Sequence, residues 1–234
     1  MAVKQLFDSK LLLSLVQKYS LTNLFEKEMS SLMALYSFTK DETISEASDI
    51  LDSLYFLVSG KIGIYKVMEN GKALLLRFNQ PLSVIGDLEF LNKYPVKTNV
   101  KAEKDALLIG IKYKDLYQHA YNDPKFLRFI IQNLSQKLYT FSIASSINLL
   151  CPLENRFASY LISVNPDPVV GSFKEEIKVE KVTELAMLLG TSYRHLLRVI
   201  QKFVTNRIID YERGIITVLD HNKLKGLARE NIYE

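Results

Sequence analysis

Cysteine is almost absent from this chain of 234 residues. The single Cys151 excludes an intramolecular disulfide, a four-cysteine iron–sulfur cluster and a cysteine-rich zinc site, and it fits a reducing compartment. Glycine and proline are scarce, at 9 and 6 positions, which excludes collagenous and low-complexity chains. Long apolar runs are missing too: Leu11–Val16 and Ile143–Leu150 fall short of the about 18 residues that a bilayer span needs. The N-terminus, Met1-Ala-Val-Lys-Gln, lacks the basic head, apolar stretch and cleavage site of a secretory signal, so a cytoplasmic protein with no membrane partner is expected. What remains is an ordinary globular composition, 48% hydrophobic and 24% charged, enough for one large or two modest domains.

Histidine is equally sparse. His119, His195 and His221 all lie outside the strand-rich stretch, which leaves a metal-dependent β-roll enzyme without clustered ligands and a haem without an axial histidine. No Gly-rich phosphate loop, nucleophile elbow or HExxH motif occurs. The chain is therefore read as a non-enzyme, with no catalytic residue and no metal ligand.

Four kinds of segment follow one another. Residues 4–37 carry apolar clusters (Leu6, Leu11, Leu12, Leu15, Val16, Leu24, Leu32, Leu35) that predict a helical lead-in broken at Ser20–Asn23. From about Thr43 to Lys112 the runs Leu54–Val58, Lys61–Val67, Ala73–Phe78, Val96–Val100 and Ala106–Ile111 alternate with turn signals such as Ser59-Gly60 and Glu69-Asn70-Gly71, which predicts a sandwich or roll. Asn122-Asp123-Pro124 then reads as an N-cap with proline at the first helical position, opening the longest helix, to about Asn148. Along it Leu127, Ile131, Leu134, Leu138, Phe141, Ser145 and Asn148 step by four and three, a narrow seam suited to helix pairing or to packing on the chain's own β-domain. Cys151-Pro152 marks a break and hinge, after which come a helix at about Glu154–Ser163, a polar loop with Pro166 and Pro168, two further helices, and the strand pair Arg207–Tyr211 and Gly214–Val218. That is the outline of a winged helix-turn-helix.

The net charge of +4 is modest, but its distribution is not even. No acidic residue occurs between Glu184 and Asp210, whereas Arg194, Arg198, Lys202 and Arg207 do. Within Val182–Phe203 a short helix closes at Gly190, Thr191 or Ser192 can cap the next, and Leu196, Val199, Ile200 and Phe203 form its apolar face. The opposite face carries Arg194, Arg198, Gln201, Lys202 and Thr205. Such a helix fits the DNA major groove, where arginine pairs with guanine and lysine holds phosphate. Tyr193 and Arg194 come closest to base edges and Arg198 follows one turn later, with Thr191, Ser192, His195, Lys202 and, in the wing, Arg213 completing the candidate contacts.

These residues resemble the CRP/FNR superfamily of bacterial transcription regulators over almost the whole chain, through Leu54-Tyr-Phe-Leu-Val-Ser-Gly-Lys-Ile, Ile85-Gly-Asp-Leu-Glu-Phe, the long helix and Gly190–Phe203. Ile85–Phe90 and Gly190-Thr-Ser-Tyr-Arg-His-Leu-Leu look most like the YeiL-type members. The resemblance implies an α+β chain: an N-terminal double-stranded β-helix, the cyclic-nucleotide-binding-like jelly roll, over 1–122; a dimerisation helix over 123–150; and a winged helix-turn-helix over 151–234. It implies a homodimer on a palindromic operator, with RNA polymerase as a partner if the protein is an activator, and a roll that senses an unknown signal.

Tyr193, Arg194 and Arg198 fall on the family's base-contacting sites, although Tyr-Arg-His departs from the commoner Arg-Glu-Thr type. The family's cyclic-nucleotide contacts fall on Gly86-Asp87, Lys97-Thr98 and Phe141-Ser142. Lysine lacks the arginine fork, aspartate is one methylene shorter than glutamate, and phenylalanine removes a hydroxyl, so cyclic AMP is not the expected effector. Another small anionic or aromatic ligand, or none, stays open, and Phe141 also reads as plain seam packing. Cys151 reads as a small buried apolar residue or a redox switch. A regulatory or interaction module without sequence-specific DNA binding is the alternative; it would lack the steep salt dependence of a DNA reader.

Overall fold

The computed structural model describes residues 5–67, 73–164, 176–178 and 182–228, apart from the side chains at 143–149 and 176–178. The chain divides into two compact units, Met1–Lys66 with Phe78–Tyr139, and Val67–Arg77 with Thr140–Glu234. The strands up to residue 112 form two sheets. One runs in the order β1 (Gln5–Leu6), β2 (Met33–Phe38), β9 (Ala106–Lys112), β4 (Ser53–Ser59), β7 (Val84–Ile85). The other runs β3 (Thr43–Ser45), β8 (Asn99–Ala102), β5 (Ile62–Val67), β6 (Ala73–Asn79).

Strand β4 shows why the sequence folds this way. Its run Leu54-Tyr-Phe-Leu-Val is apolar at every position because both of its faces are covered. Leu54, Phe56 and Val58 join Leu35, Ile109 and Ile111 on the outer face, which helix α1 (Ser9–Lys18), helix α3 (Tyr113–His119) and the start of helix α4 (Pro124–Leu150) cover. Tyr55 and Leu57 point the other way, between the sheets, with Tyr36, Leu108, Ile62 and Val100. A short helix α2 (Asp87–Asn92) follows β7.

Asp123 opens α4 as the sequence predicts: its carboxylate accepts from the amides of Lys125 and Phe126 at 2.9 and 3.3 Å, and from that of Glu26 at 2.6 Å. Helix α5 (Leu153–Val164) begins after the break at Cys151-Pro152 and precedes α6 (Val182–Leu188) and α7 (Tyr193–Thr205). Strands β10 (Glu176–Lys178), β11 (Ile209–Glu212) and β12 (Ile215–Val218) form a sheet in the order β10-β12-β11, and α8 (His221–Ala228) closes the second unit. Asn155 and Ser159 of α5 donate to the carbonyls of Leu227 and Ala228 at 2.7 and 3.1 Å, satisfying groups that a helix end leaves bare.

Several expectations are corrected. The predicted helical lead-in over 4–37 ends early: Met33–Phe38 is a strand, and Leu35 packs from it, because β9 pairs along its full length from Met33↔Ile111 to Phe38↔Ala106. The predicted strand Val96–Val100 shifts to Asn99–Ala102, where β5 and β3 supply partners. Helices α2, α3 and α8 and strand β10 add to the elements that the sequence predicts. The loop with Pro166 and Pro168 lies outside the described residues.

Candidate nucleic-acid interface

Helix α6 ends in a Schellman turn. The Thr191 amide donates to the Ala186 carbonyl at 2.9 Å and the Gly190 amide to that of Met187 at 3.0 Å, with Gly190 at φ +61°. A side chain there would strain the backbone, so glycine sets the angle at which α7 leaves. Ser192, not Thr191, caps α7: its hydroxyl accepts from the His195 amide at 3.2 Å. Thr191 turns its hydroxyl to within 3.4 Å of His195 Nδ1 instead. Leu196, Val199, Ile200 and Phe203 are buried, and the ring of Phe203 meets that of Phe157 on α5 at 5.4 Å. Tyr193, Arg194, His195, Arg198, Gln201 and Lys202 are exposed. Arg194 and Arg198 have no acidic partner within ion-pair distance among the described residues.

The wing follows without slack. The Ile208 amide donates to the Phe203 carbonyl at 2.9 Å, so β11 departs from the last turn of α7. Glu212 pairs with Ile215 across a two-residue turn, Arg213-Gly214, with φ of +50° and +81°, the left-handed pair that suits the twist of a hairpin. Arg213 thus occupies the wing tip, with its side chain 90% exposed. Against the predicted Arg207–Tyr211 and Gly214–Val218, the first strand starts later, since Arg207 and Ile208 serve the turn out of α7, and runs on to Glu212, which pairs with Ile215, while Gly214 serves the hairpin.

Two side chains of α5 that sequence reasoning passed over hold this motif in place. Arg156 donates through Nη1 to the Leu189 carbonyl at 2.7 Å, at the turn between α6 and α7. Glu154 takes the Lys202 ammonium with both carboxylate oxygens, at 2.7 and 2.9 Å. Lys202 therefore differs from the two arginines of its face, being already paired within the chain.

Within each unit, the positions aligned with a nucleotide site are placed as follows. Gly86 precedes α2 at φ +90°, and a side chain on it would meet the Tyr113 hydroxyl at 2.6 Å and the Ser53 carbonyl at 2.8 Å. Its carbonyl accepts from Tyr113 at 2.7 Å, a buried phenol whose pKa burial pushes well above its ordinary value. Asp87 is buried and engaged: Lys137 of α4 donates to its Oδ2 at 2.5 Å and to the Val84 carbonyl at 3.0 Å. Burial also raises the pKa of the neighbouring Glu89 carboxyl, and the Asp87 charge pushes the same way. Lys97 is exposed above the Tyr94 ring at 5.7 Å, and Thr98 is half-buried. Phe141 and Ser142 are exposed and belong to the other compact unit.

Residues 35–121 match the cyclic nucleotide-binding domain family, and residues 155–227 match the Crp-like helix-turn-helix domain family. Regulatory protein YeiL of Escherichia coli O157:H7 is 27% identical over 206 residues, covering 88% of this chain and 90% of its own. The chain belongs to the CRP/FNR family of transcription regulators. The cAMP-activated global transcriptional regulator CRP of Pasteurella multocida is 19% identical over 79% of this chain and 89% of its own. In fold, the chain is similar to a CRP/FNR-family transcriptional regulator of Thermus thermophilus, with a TM-score of 0.68 and 24% identity over 84% of this chain and 99% of that one. As a CRP/FNR regulator it combines a cyclic-nucleotide-binding-type domain with a DNA-binding helix-turn-helix, and its homologues are regulators, not enzymes. Regulators of this family bind DNA and act as dimers.

Helix α4 carries both buried and exposed apolar residues. Phe126 and Ile130 are buried in the outer core of the roll, and Phe129 lies 5.9 Å from Phe56. Ile131 and Leu138 are 65% and 70% exposed, and Phe141 is exposed as well. Leu127 and Leu134 are half-buried, and Leu134 packs against the roll's core. Of the predicted seam residues, Leu134 thus also contacts the roll, because it lies round the helix toward the Phe126 face. The Ser145 side chain lies outside the described residues. One signal for Lys137 was available in the sequence: it sits seven residues after Ile130, a charge on the roll-facing stripe.

Proposed function

We propose that this regulator acts as a homodimer that reads a two-fold symmetric operator with α7 in the major groove. The observation that carries the reading is the pair Arg194 and Arg198, exposed and without an acidic partner among the described residues, on a helix whose opposite face is buried. Tyr193 and His195 flank them, Thr191 and Ser192 shape the helix start, and Arg213 at the wing tip adds a phosphate or minor-groove contact. The exposed stripe of α4 pairs the two copies, placing recognition helices on half-sites about 34 Å apart. RNA polymerase is a partner if the protein activates, and the cytoplasm is where it works. Selection from randomised duplex DNA without added ligand should enrich a palindrome with half-sites about one turn apart. Failure to enrich any palindrome would count against an intrinsically active dimeric reader.

Arg198→Ala should cost about 1–3 kcal/mol at the enriched operator and relax preference at one base pair of each half-site. Competition with singly substituted duplexes measures both; unchanged affinity and preference would remove Arg198 from the reading face.

We also infer that the roll takes no cyclic AMP. Supporting this, the Asp87 carboxylate is engaged by Lys137, and Lys97 is exposed above its own neighbour Tyr94. A ligand at 100 times its Kd stabilises the state it binds by about 2.7 kcal/mol. Millimolar cyclic AMP is accordingly expected to leave the thermal midpoint unmoved, and a clear upward shift would overturn the inference.

A further inference from the structure

Resting on the DNA-reading role of α7, we propose that Glu154 is a built-in phosphate surrogate: it holds Lys202 of the recognition helix in the free protein and yields it to a DNA phosphate on binding. Three observations carry this. First, the contact has the form a phosphate would offer, two anionic oxygens at 2.7 and 2.9 Å from one ammonium. Second, the ammonium is accessible, with the Lys202 side chain 56% and the Glu154 side chain 32% exposed, so it can change partners without passing through a fully desolvated state. Exposed pairs of this kind are weak and easily exchanged. Third, Lys202 stands apart on its own helix. It lies about 40° round from Arg198 on the α5-facing flank, a rim position that meets backbone and not base edges.

The carboxylate has a second reason to stay where it is. Glu154 lies in the first turn of α5, where the helix dipole favours a negative charge, so it does not need Lys202 for its own stability. Arg156, two residues on, fixes the turn before α7 through the Leu189 carbonyl. The start of α5 therefore both positions the recognition helix and neutralises one of its cations. The functional result is a regulator whose attraction to any duplex is lowered by one charge.

The test is a double-mutant cycle on the full chain, read as the salt dependence of binding to an end-labelled mixed-sequence duplex. Glu154→Gln should tighten binding about two- to fivefold, the range expected from freeing an exposed ion pair. Lys202→Ala should weaken binding and flatten the slope of log K against log salt by about 0.9, one phosphate contact. In the Lys202→Ala background, Glu154→Gln should then have no effect. An equal tightening in both backgrounds would show only the removal of a negative charge near DNA, and overturn the proposal. So would an unchanged slope in Lys202→Ala, which would mean that the lysine stays on Glu154. Absence of salt-dependent duplex binding by the wild-type protein is a different failure, that of the DNA-reading role itself. Thermal melts of each variant distinguish lost binding from lost folding.

Discussion

The double variant Ile131→Asp/Leu138→Asp is expected to sediment as a monomer and to lose on the order of a hundredfold or more in operator affinity. Both side chains stand largely in solvent, 65% and 70% exposed, on the stripe of α4 turned away from Phe126 and Ile130. Surface changes of this kind usually alter stability by only about 0.5 kcal/mol, so each copy should fold as before. In a pair of α4 helices the same change would bury four carboxylates against apolar neighbours, which is far more costly than leaving them in water. The operator then loses its second recognition helix. Joining two binding events in one particle is worth about 10²–10⁴ in affinity, and this is the factor at stake. Sedimentation equilibrium and anisotropy titration against the enriched palindrome give the two readouts. A dimeric variant would remove the seam, and a monomer with undiminished affinity would remove the two-half-site reading. Leu134 is the wrong residue for this test, since its half-buried side chain packs on the roll and an aspartate there would unfold what it is meant to dissociate.

The second large effect concerns the ion pair inside the first unit. Lys137→Met leaves the Asp87 carboxylate buried without its cation, and breaking a buried pair in this way costs about 3–5 kcal/mol. For a unit of this size that corresponds to a fall in the thermal midpoint on the order of 10 °C. The double variant Asp87→Leu/Lys137→Met removes both desolvated charges at once and should recover most of the loss, because apolar replacements of buried pairs are neutral or stabilising by about 1–4 kcal/mol. Differential scanning calorimetry of the three proteins decides the matter. Equal melting of wild type and Lys137→Met would mean that Asp87 and Lys137 are solvated independently and that the pair does not clamp α4 to the roll. A double variant no better than the single one would mean that Lys137 acts through its aliphatic stem and the Val84 carbonyl instead of through Asp87.

How far the sequence could be read depended on the distance between partners. The cap of α4 at Asp123, the Gly190 turn and the two faces of α7 each draw on residues within about one or two helical turns, and each is legible. Where a choice was local but degenerate, as between Thr191 and Ser192 for the cap, the sequence narrowed it and the geometry decided. Strand β2 was misread for a different reason. Met33–Phe38 has apolar residues that suit a helix stripe as well as a strand, and only β9, paired from Ile111 back to Ala106, makes it extended.

The chain alone therefore determined the order of its parts and the two-faced helix Tyr193–Thr205, with Arg194 and Arg198 opposite its apolar stripe. The tertiary structure decided how the charges are spent: Lys137 on Asp87, 50 residues away, and Lys202 on Glu154, 48 residues away. It also divided the apolar residues of α4 between the roll and the exposed stripe. The physical reason is one of range. Helix period, caps and turns are settled by neighbours along the chain, whereas an ion pair or a shared helix face exists only once folding has brought distant segments within a few ångströms.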